Sequence, residues 1–497
     1  MKKYDLIIIG TGAGLMVLEE ALAQGYHCAI IEKNKFGGTC LTKGCIPSKM
    51  LVYPADLIRE TEEATRIGLD FKSPSINWEK ISKRLWKQIN YSEKIEKEFS
   101  EEKNLDIYKG TAEFLDDVTI RVKNQDGNYS ETITGEKIII AAGARTFIPP
   151  ITGLEVAGYL TPETFFGDKY PKKIWKSLVI IGGGAIGTEF AHIFSAYGCK
   201  VTLLEMRPRI IATEEEEISE LVEKTFIDKG IDVFTNHRIL SVYLEEGSKK
   251  IVIEDNHSKE QKIVVSEEIF VASGIRSNSD LLKIENTSIK TDQRGWIITN
   301  QFLETSRNNI WAIGDINGKY QFRHKANYEA EILINNLFSK EKKEVSYASV
   351  PWAIFTYPQV AHVGLTESQV KEMKVKYWTG TNYYHEVVGG IAMGYSRHGD
   401  SGFVKIIIGE EKKILGVHIV GPHAALLVQP FVYLMNSSHK CNESQLKRKV
   451  KSIEELRVIC PPLGTYMPIH DSMVIHPSLN ELTAWVIDKI NWEKPNK

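Results

Sequence analysis

The chain has 497 residues, a formal net charge of −2 and six cysteines, with 42% hydrophobic and 25% charged residues. That balance fits two to four folded domains, argues against nucleic acid as principal partner, and leaves too few cysteines for a disulfide-stapled secreted scaffold. No apolar run reaches membrane-spanning length and MKKYDLIIIG stops at glycine, so the expectation is a cytoplasmic protein with no signal peptide and no membrane partner.

Tyr4 to Ile9 is a β-branched apolar run ending at Gly10. A helical stretch and the run Cys28 to Ile31 follow it, which predicts a βαβ unit. Gly10, Gly12 and Gly14 let backbone approach a pyrophosphate at a helix N-terminus, and Glu32 stands where a carboxylate receives ribose hydroxyls. Leu15 replaces the last fingerprint glycine, which predicts looser packing of helix on strand.

Gly37 to Lys49, GGTCLTKGCIPSK, sets Cys40 and Cys45 five residues apart. In a regular helix their Cα atoms would lie about 8 to 9 Å apart, beyond the roughly 7 Å an unstrained bridge allows. The turn must therefore be distorted, with Gly44 relieving backbone sterics and Pro47 tolerated only near a helix start. Redox-active disulfides accept such strain. The competing readings are two unrelated structural cysteines or half of a zinc site. A zinc site needs two more ligands at short spacing, and no second close Cys/His pair accompanies this one, so no metal is expected.

Farther on, Asn77 to Glu102 has helical spacing, and Ile107 to Ile140 reads as short strands with turns at Asp126-Gly127 and Thr134-Gly135. Ser177 to Glu205 repeats the strand, glycine turn, helix and strand grammar. Gly182, Gly184 and Gly187 form a full GxGxxG there, and Glu205 ends the next strand. That carboxylate suits an unphosphorylated ribose and favours NAD over NADP, with Arg207 and Arg209 close enough to blur the preference. From about Val350, strand-like runs such as GFVKIII and KILGVHIVG alternate with helices, suggesting an α+β terminal domain.

A disulfide turn just after the first acidic residue, with a second dinucleotide unit downstream, resembles the class I pyridine nucleotide–disulfide oxidoreductases over nearly the whole length. IIIAAGAR, VASGIRSN, IWAIGDI, HKANYEA, VPWAIFTYPQVAHVGLTE and VIHPSLNEL strengthen the resemblance. It implies an α/β fold with two Rossmann-like dinucleotide-binding domains, for FAD and NAD, plus a C-terminal α+β dimerisation domain. The expected boundaries are 1–150 and 273–345 for the two parts of the FAD-binding region, 151–272 for the NAD-binding domain and 346–497 for the dimerisation domain.

The resemblance also implies roles. FAD would contact Gly38, Thr39, Lys49, Gly110, Ala112, Ala142, Gly143 and Asp315 besides the first turn, with Gly274 near the nucleotide. Lys49 would pair with Glu189 beside the flavin, Cys45 would be the thiol nearer the flavin, and Cys40 would exchange with substrate. His476 and Glu481 would be an acid–base dyad serving the other subunit of a homodimer. His470 has no motif match and is expected at the surface.

For substrate, family members that reduce glutathione carry an arginine on the first helix where Glu20 stands here, beside Glu19. Those that reduce mercuric ion carry a C-terminal cysteine pair, absent from AWVIDKINWEKPNK. Glu205 leans towards the dihydrolipoamide dehydrogenases, whose substrate is a small dithiol or a lipoyl group within a 2-oxoacid dehydrogenase complex. The GTGAGL turn, CIPSKMLVYPAD and LLVQP lean towards mycothione reduction. An NADH oxidase or diaphorase and a non-catalytic flavin-binding subunit are the readings of another class. Between Asn436 and Cys460-Pro461-Pro462 lies an insert with Cys441 and the basic run Lys447 to Lys451, expected as a surface loop in which a Cys441–Cys460 disulfide is conceivable.

Overall fold

The structure, a computed structural model, describes residues 1–396, 401–436, 464–470 and 472–496. The insert with Cys441, Lys447 to Lys451 and Cys460-Pro461-Pro462 lies outside the described residues, as does the His470 side chain.

The first sheet has the parallel order Leu105–Lys109, Cys28–Glu32, Lys2–Ile9, Ile133–Ile140, with Ile310–Ala312 pairing the far edge of the last of these. Its strands are apolar on both faces because both faces are covered. Ile7, Ala29, Ile31 and Ile138 point into one core, and Leu6, Ile8, Cys28 and Ile30 into another. An antiparallel pair, Thr111–Phe114 and Thr119–Lys123, extends from the start of Ile133–Ile140.

Thr134-Gly135 is not the expected turn but lies inside that strand. A Cβ on Gly135 would stand 2.9 Å from Ile7 Cγ1, so this glycine serves close strand contact. Asp126-Gly127 does turn, with Gly127 at φ +87°. The stretch read as helical from Asn77 folds as Trp78–Ile89 and Tyr91–Ser100, the first capped by the Asn77 side chain accepting from Lys80 N.

A second parallel sheet runs Asp232–Phe234, Lys200–Leu204, Ser177–Ile181, Glu268–Val271, joined by a three-stranded antiparallel meander from His237 to Ser266. The C-terminal part is a five-stranded antiparallel sheet, Trp352–Ile354, Val360–Gly364, Ile414–Val420, Phe403–Gly409, Tyr377–Tyr383. Leu482, Val486 and Ile487 near the C-terminus pack into its core with Val404 and Ile406.

Candidate active site

Both glycine turns sit at the carboxyl ends of their sheets, where open α/β sheets bind ligands. Gly10 has φ +101°, and a Cβ there would stand 2.4 Å from Ala141 O; Gly182 has φ +111° and the same constraint against Ala272 O. Gly14 and Gly187 were expected with the nucleotide but do not line the cleft. They pack the helices instead: a Cβ on Gly14 would lie 2.8 Å from Ile8 Cγ2, and one on Gly187 would overlap Gly182 O. Helix and strand are therefore close at the first turn despite Leu15, because Gly14 makes the approach.

The two acids hold the turns from below. Glu32 accepts from Thr11 N at 2.9 Å and Thr11 Oγ1 at 2.5 Å, and from Asn34 N at 2.7 Å. Glu205 likewise accepts from Gly183 N at 2.7 Å and Arg207 N at 2.8 Å.

The Cys40 and Cys45 region folds as a short helix, Gly38–Thr42, broken at Lys43 and Gly44 before the helix Cys45–Glu63 begins. Gly44 lets the break close against Thr39, whose carbonyl oxygen would be 3.1 Å from a Cβ. Pro47 falls in the first turn of the new helix, where its missing N–H costs nothing. Cys45 thus stands at a helix N-terminus, a position that favours thiolate.

Cys40 and Cys45 are both free thiols. The neighbouring Cys40 thiol is the largest cause that lowers Cys45; burial opposes, the Lys49 ammonium assists, and the result is about 7. Its proximity to Cys45 and burial push Cys40 well above its ordinary range.

Lys49 Nζ donates to Glu189 Oε1 and Oε2 at 2.8 and 2.7 Å, and Phe355 N donates to Glu189 Oε1 at 3.0 Å. Glu189 rides on the helix Ala185–Ala196 that leaves the second glycine turn. This pair and the bonds His192 Nε2 to Asp56 Oδ1 at 2.8 Å and Tyr197 OH to Leu51 O at 2.7 Å join the cysteine helix to the second nucleotide unit. Lys49→Met should move the pH midpoint for iodoacetamide alkylation of Cys45 in the reduced enzyme upward by about one unit, because the thiolate loses its nearest cation.

One continuous cleft of about 2480 Å³ joins the two glycine turns and the cysteine pair. Gly10, Gly12, Glu32, Gly38, Thr39, Cys40, Cys45, Lys49, Gly110, Ala112, Ala142, Gly143 and Asp315 line it, and so do Gly182, Gly184, Glu189, Glu205 and Gly274. His476 and Glu481 do not. His476 Nδ1 hydrogen bonds Glu481 Oε1; the Glu481 carboxylate is fully buried while the His476 ring is 62% exposed. Glu19 and Glu20 do not line the cleft either.

Sequence reading missed what holds Asp315. Lys325 and Glu329, an entirely buried ion pair at 3.1 Å, bond Gly314 O at 3.0 Å and Gly314 N at 2.7 Å respectively. They fix the turn that presents Asp315, whose carboxyl is raised to about 6 by burial, against the pull of Lys325. No side-chain or backbone donor among the described residues bonds that carboxyl. An open Gly12, a Gly10 that tolerates no Cβ and an Asp315 awaiting a hydroxyl together fit a dinucleotide such as FAD.

A second missed cluster joins the nucleotide-binding region to the C-terminal sheet. Buried Glu214 accepts from His362 Nδ1 at 2.9 Å and pairs with His418 Nδ1. Trp352 Nε1 donates to His362 Nε2 at 3.0 Å, so the proton of a neutral His362 sits on Nδ1 and faces the carboxylate rather than a metal. Burial alone would raise Glu214, but the two histidines hold it well below the carboxylate range; Glu214 in turn raises His418 against burial.

Residues 4–330 match the family model described as pyridine nucleotide-disulphide oxidoreductase, and residues 350–452 match that family's dimerisation domain. The chain belongs to the pyridine nucleotide-disulphide oxidoreductases. The family's flavoprotein disulfide chemistry, its use of FAD with a pyridine nucleotide, and its α/β architecture therefore apply here, and the dimerisation domain supports a homodimer. Among relatives, dihydrolipoyl dehydrogenase of Bacillus subtilis is 32% identical over 86% of this chain and 90% of its own. Mycothione reductase of Mycobacterium tuberculosis is 30% identical over 88% and 93%. The solved structure of the HOCl-induced flavoprotein disulfide reductase RclA from Escherichia coli superposes with TM-score 0.77 at 25% identity, covering 98% of this chain and 99% of that one. No helix among the described residues is long and apolar enough to cross a membrane.

Proposed function

We propose that this oxidoreductase is NAD-linked and oxidises a dihydrolipoyl dithiol to the lipoyl disulfide, with Cys40 and Cys45 as its redox pair. The observation that carries the reading is the neighbouring pair of free cysteines, Cys45 at a helix N-terminus, in one cleft with both dinucleotide turns. The relation to dihydrolipoyl dehydrogenases supports the substrate class, and a 2-oxoacid dehydrogenase complex is the matching partner. The proposed location is the cytoplasm.

In this reading His476, from the second subunit of the dimer, takes a proton from a substrate thiol through Nε2. Its Nδ1 is already held by Glu481, which orients the ring and stabilises the imidazolium. The substrate thiolate attacks the Cys40 sulfur of the disulfide, and Cys45 leaves as a thiolate. Its place at the helix N-terminus and the Lys49 ammonium both favour the departing thiolate. The second substrate thiol then attacks the first substrate sulfur; Cys40 departs with the proton held by the His476 imidazolium, the freed imidazole accepts the proton of the second thiol, and the cyclic disulfide is released. Gly10, Gly12, Glu32 and Asp315 would hold FAD, which when bound passes the electron pair from the cysteines to NAD.

Glu205 supports NAD: its charge faces the cleft at the end of Lys200–Leu204. Arg209 lies outside the cleft lining and pairs with Glu216 at 3.3 Å, which leaves Arg207 as the competing cation. Glu205→Gln keeps an acceptor for Gly183 N and removes the charge, so the kcat/KM ratio of NADPH to NADH should rise about tenfold. An anaerobic comparison of NADH and NADPH against lipoamide and other low-molecular-weight disulfides tests the whole reading. Preference for a disulfide other than lipoamide would replace the substrate.

A further inference from the structure

Arg323 belongs to none of the roles above, yet it opens the helix Arg323–Phe338 and lines the same cleft as Gly12, Thr39 and Cys40. A Cβ placed on Gly12 would meet one heavy atom within 4 Å beyond its chain neighbours, and that atom is Arg323 Nη1, at 3.9 Å. The space on that side of Gly12 is otherwise open.

Among the other cations of the cleft wall, Lys33, Lys43 and Arg207 also lack a side-chain partner among the described residues, but Arg323 is the one that reaches Gly12, and two others are matched. Lys49 is paired with Glu189, and Lys35 donates to Asn90 Oδ1 at 2.9 Å. Arg323 has neither an ion pair nor a hydrogen-bond acceptor among the described residues. Its charge is felt on both sides: it pulls down the Cys40 thiol and the Asp315 carboxyl, each against burial.

A half-buried guanidinium has five donors to satisfy and pays desolvation if it finds no acceptor. Water can serve some of them, but the group sits where the backbone of Gly12 is bare for a pyrophosphate. A planar guanidinium matches phosphate oxygens two at a time. We propose that Arg323 anchors the pyrophosphate of FAD at the Gly10–Gly14 turn. The inference rests on the reading of that turn as the flavin site.

FAD and riboflavin, which lacks the pyrophosphate, are titrated by flavin fluorescence into the full-length protein stripped of flavin, as wild type, Arg323→Ala and Arg323→Lys. The alanine variant should lose FAD affinity about ten- to a hundredfold while riboflavin changes by no more than about twofold. Lysine should restore part of the loss, and the difference should shrink with added salt. Unchanged FAD binding in Arg323→Ala, or an equal loss for FAD and riboflavin, would overturn the proposal. If the alanine variant does not fold, FAD release from Arg323→Lys holoprotein decides: several-fold faster release is expected, and an unchanged rate overturns it. A wild-type protein that binds neither flavin fails the flavin-site reading itself, and the proposal with it.

Discussion

Cys45→Ser is expected to abolish oxidation of dihydrolipoamide by NAD, by at least about a thousandfold in kcat, while FAD stays bound. The variant removes one sulfur of the redox pair, so no disulfide can form and no electron pair can be stored there. Serine is nearly the same size and sits at the first position of the helix Cys45–Glu63, so the fold and the remaining cleft wall have little reason to change. NADH-driven reduction of a dye that accepts electrons directly from flavin should persist. The contrast separates the proposed function from an NADH oxidase or diaphorase, for which the serine variant would keep its physiological activity. Full lipoamide turnover in Cys45→Ser would sink the disulfide mechanism. In the wild-type reduced enzyme, alkylation at Cys45 should rise through about pH 7, because the thiolate is the reactive form and becomes dominant above the lowered value.

The parts of this architecture that read clearly from the sequence are those whose signal is local. A strand, a glycine turn and an acid about twenty residues on are written in one stretch, and the cleft contains Gly10, Gly12 and Glu32 together. The Cys40/Cys45 break was foreseeable because helical geometry forbids the bridge and Gly44 and Pro47 supply the remedy. Lys49 and Glu189 are far apart in the chain, and family resemblance rather than spacing suggested the pair.

Where tertiary contact overrides local preference, reading fails. Thr134-Gly135 has turn composition, but Gly135 is spent on clearance for Ile7. Lys325 and Glu329 stand at i, i+4, a spacing equally at home on a solvated helix face; that they face inward depends on the Gly314 turn they bond. Glu214, His362 and His418 come from three segments and carry no shared pattern. Arg323 stood beside a recognised motif, but nothing in the sequence says its side chain lies over Gly12.

His476→Gln is expected to lower kcat for dithiol oxidation by about a hundred- to ten-thousandfold, the span of a lost general base. The location of His476 makes a sharper experiment possible. Within one chain the ring is exposed and outside the cleft that holds the cysteines, so its proposed role requires a second subunit. Cys45→Ser and His476→Gln homodimers should each be inactive. In a mixed dimer, one of the two sites combines the intact cysteine pair of one subunit with the intact histidine of the other. Random reassortment of equal amounts makes half the dimers mixed, so about a quarter of wild-type activity should return. If His476 worked on its own chain's cysteines, both sites of the mixed dimer would lack one component and nothing would return. Glu481→Gln should show a smaller loss, with the acid limb of the kcat/KM pH profile displaced towards lower pH. The imidazolium would lose its buried counter-charge, the histidine would become the weaker base, and the neutral ring would face a higher barrier to taking the proton.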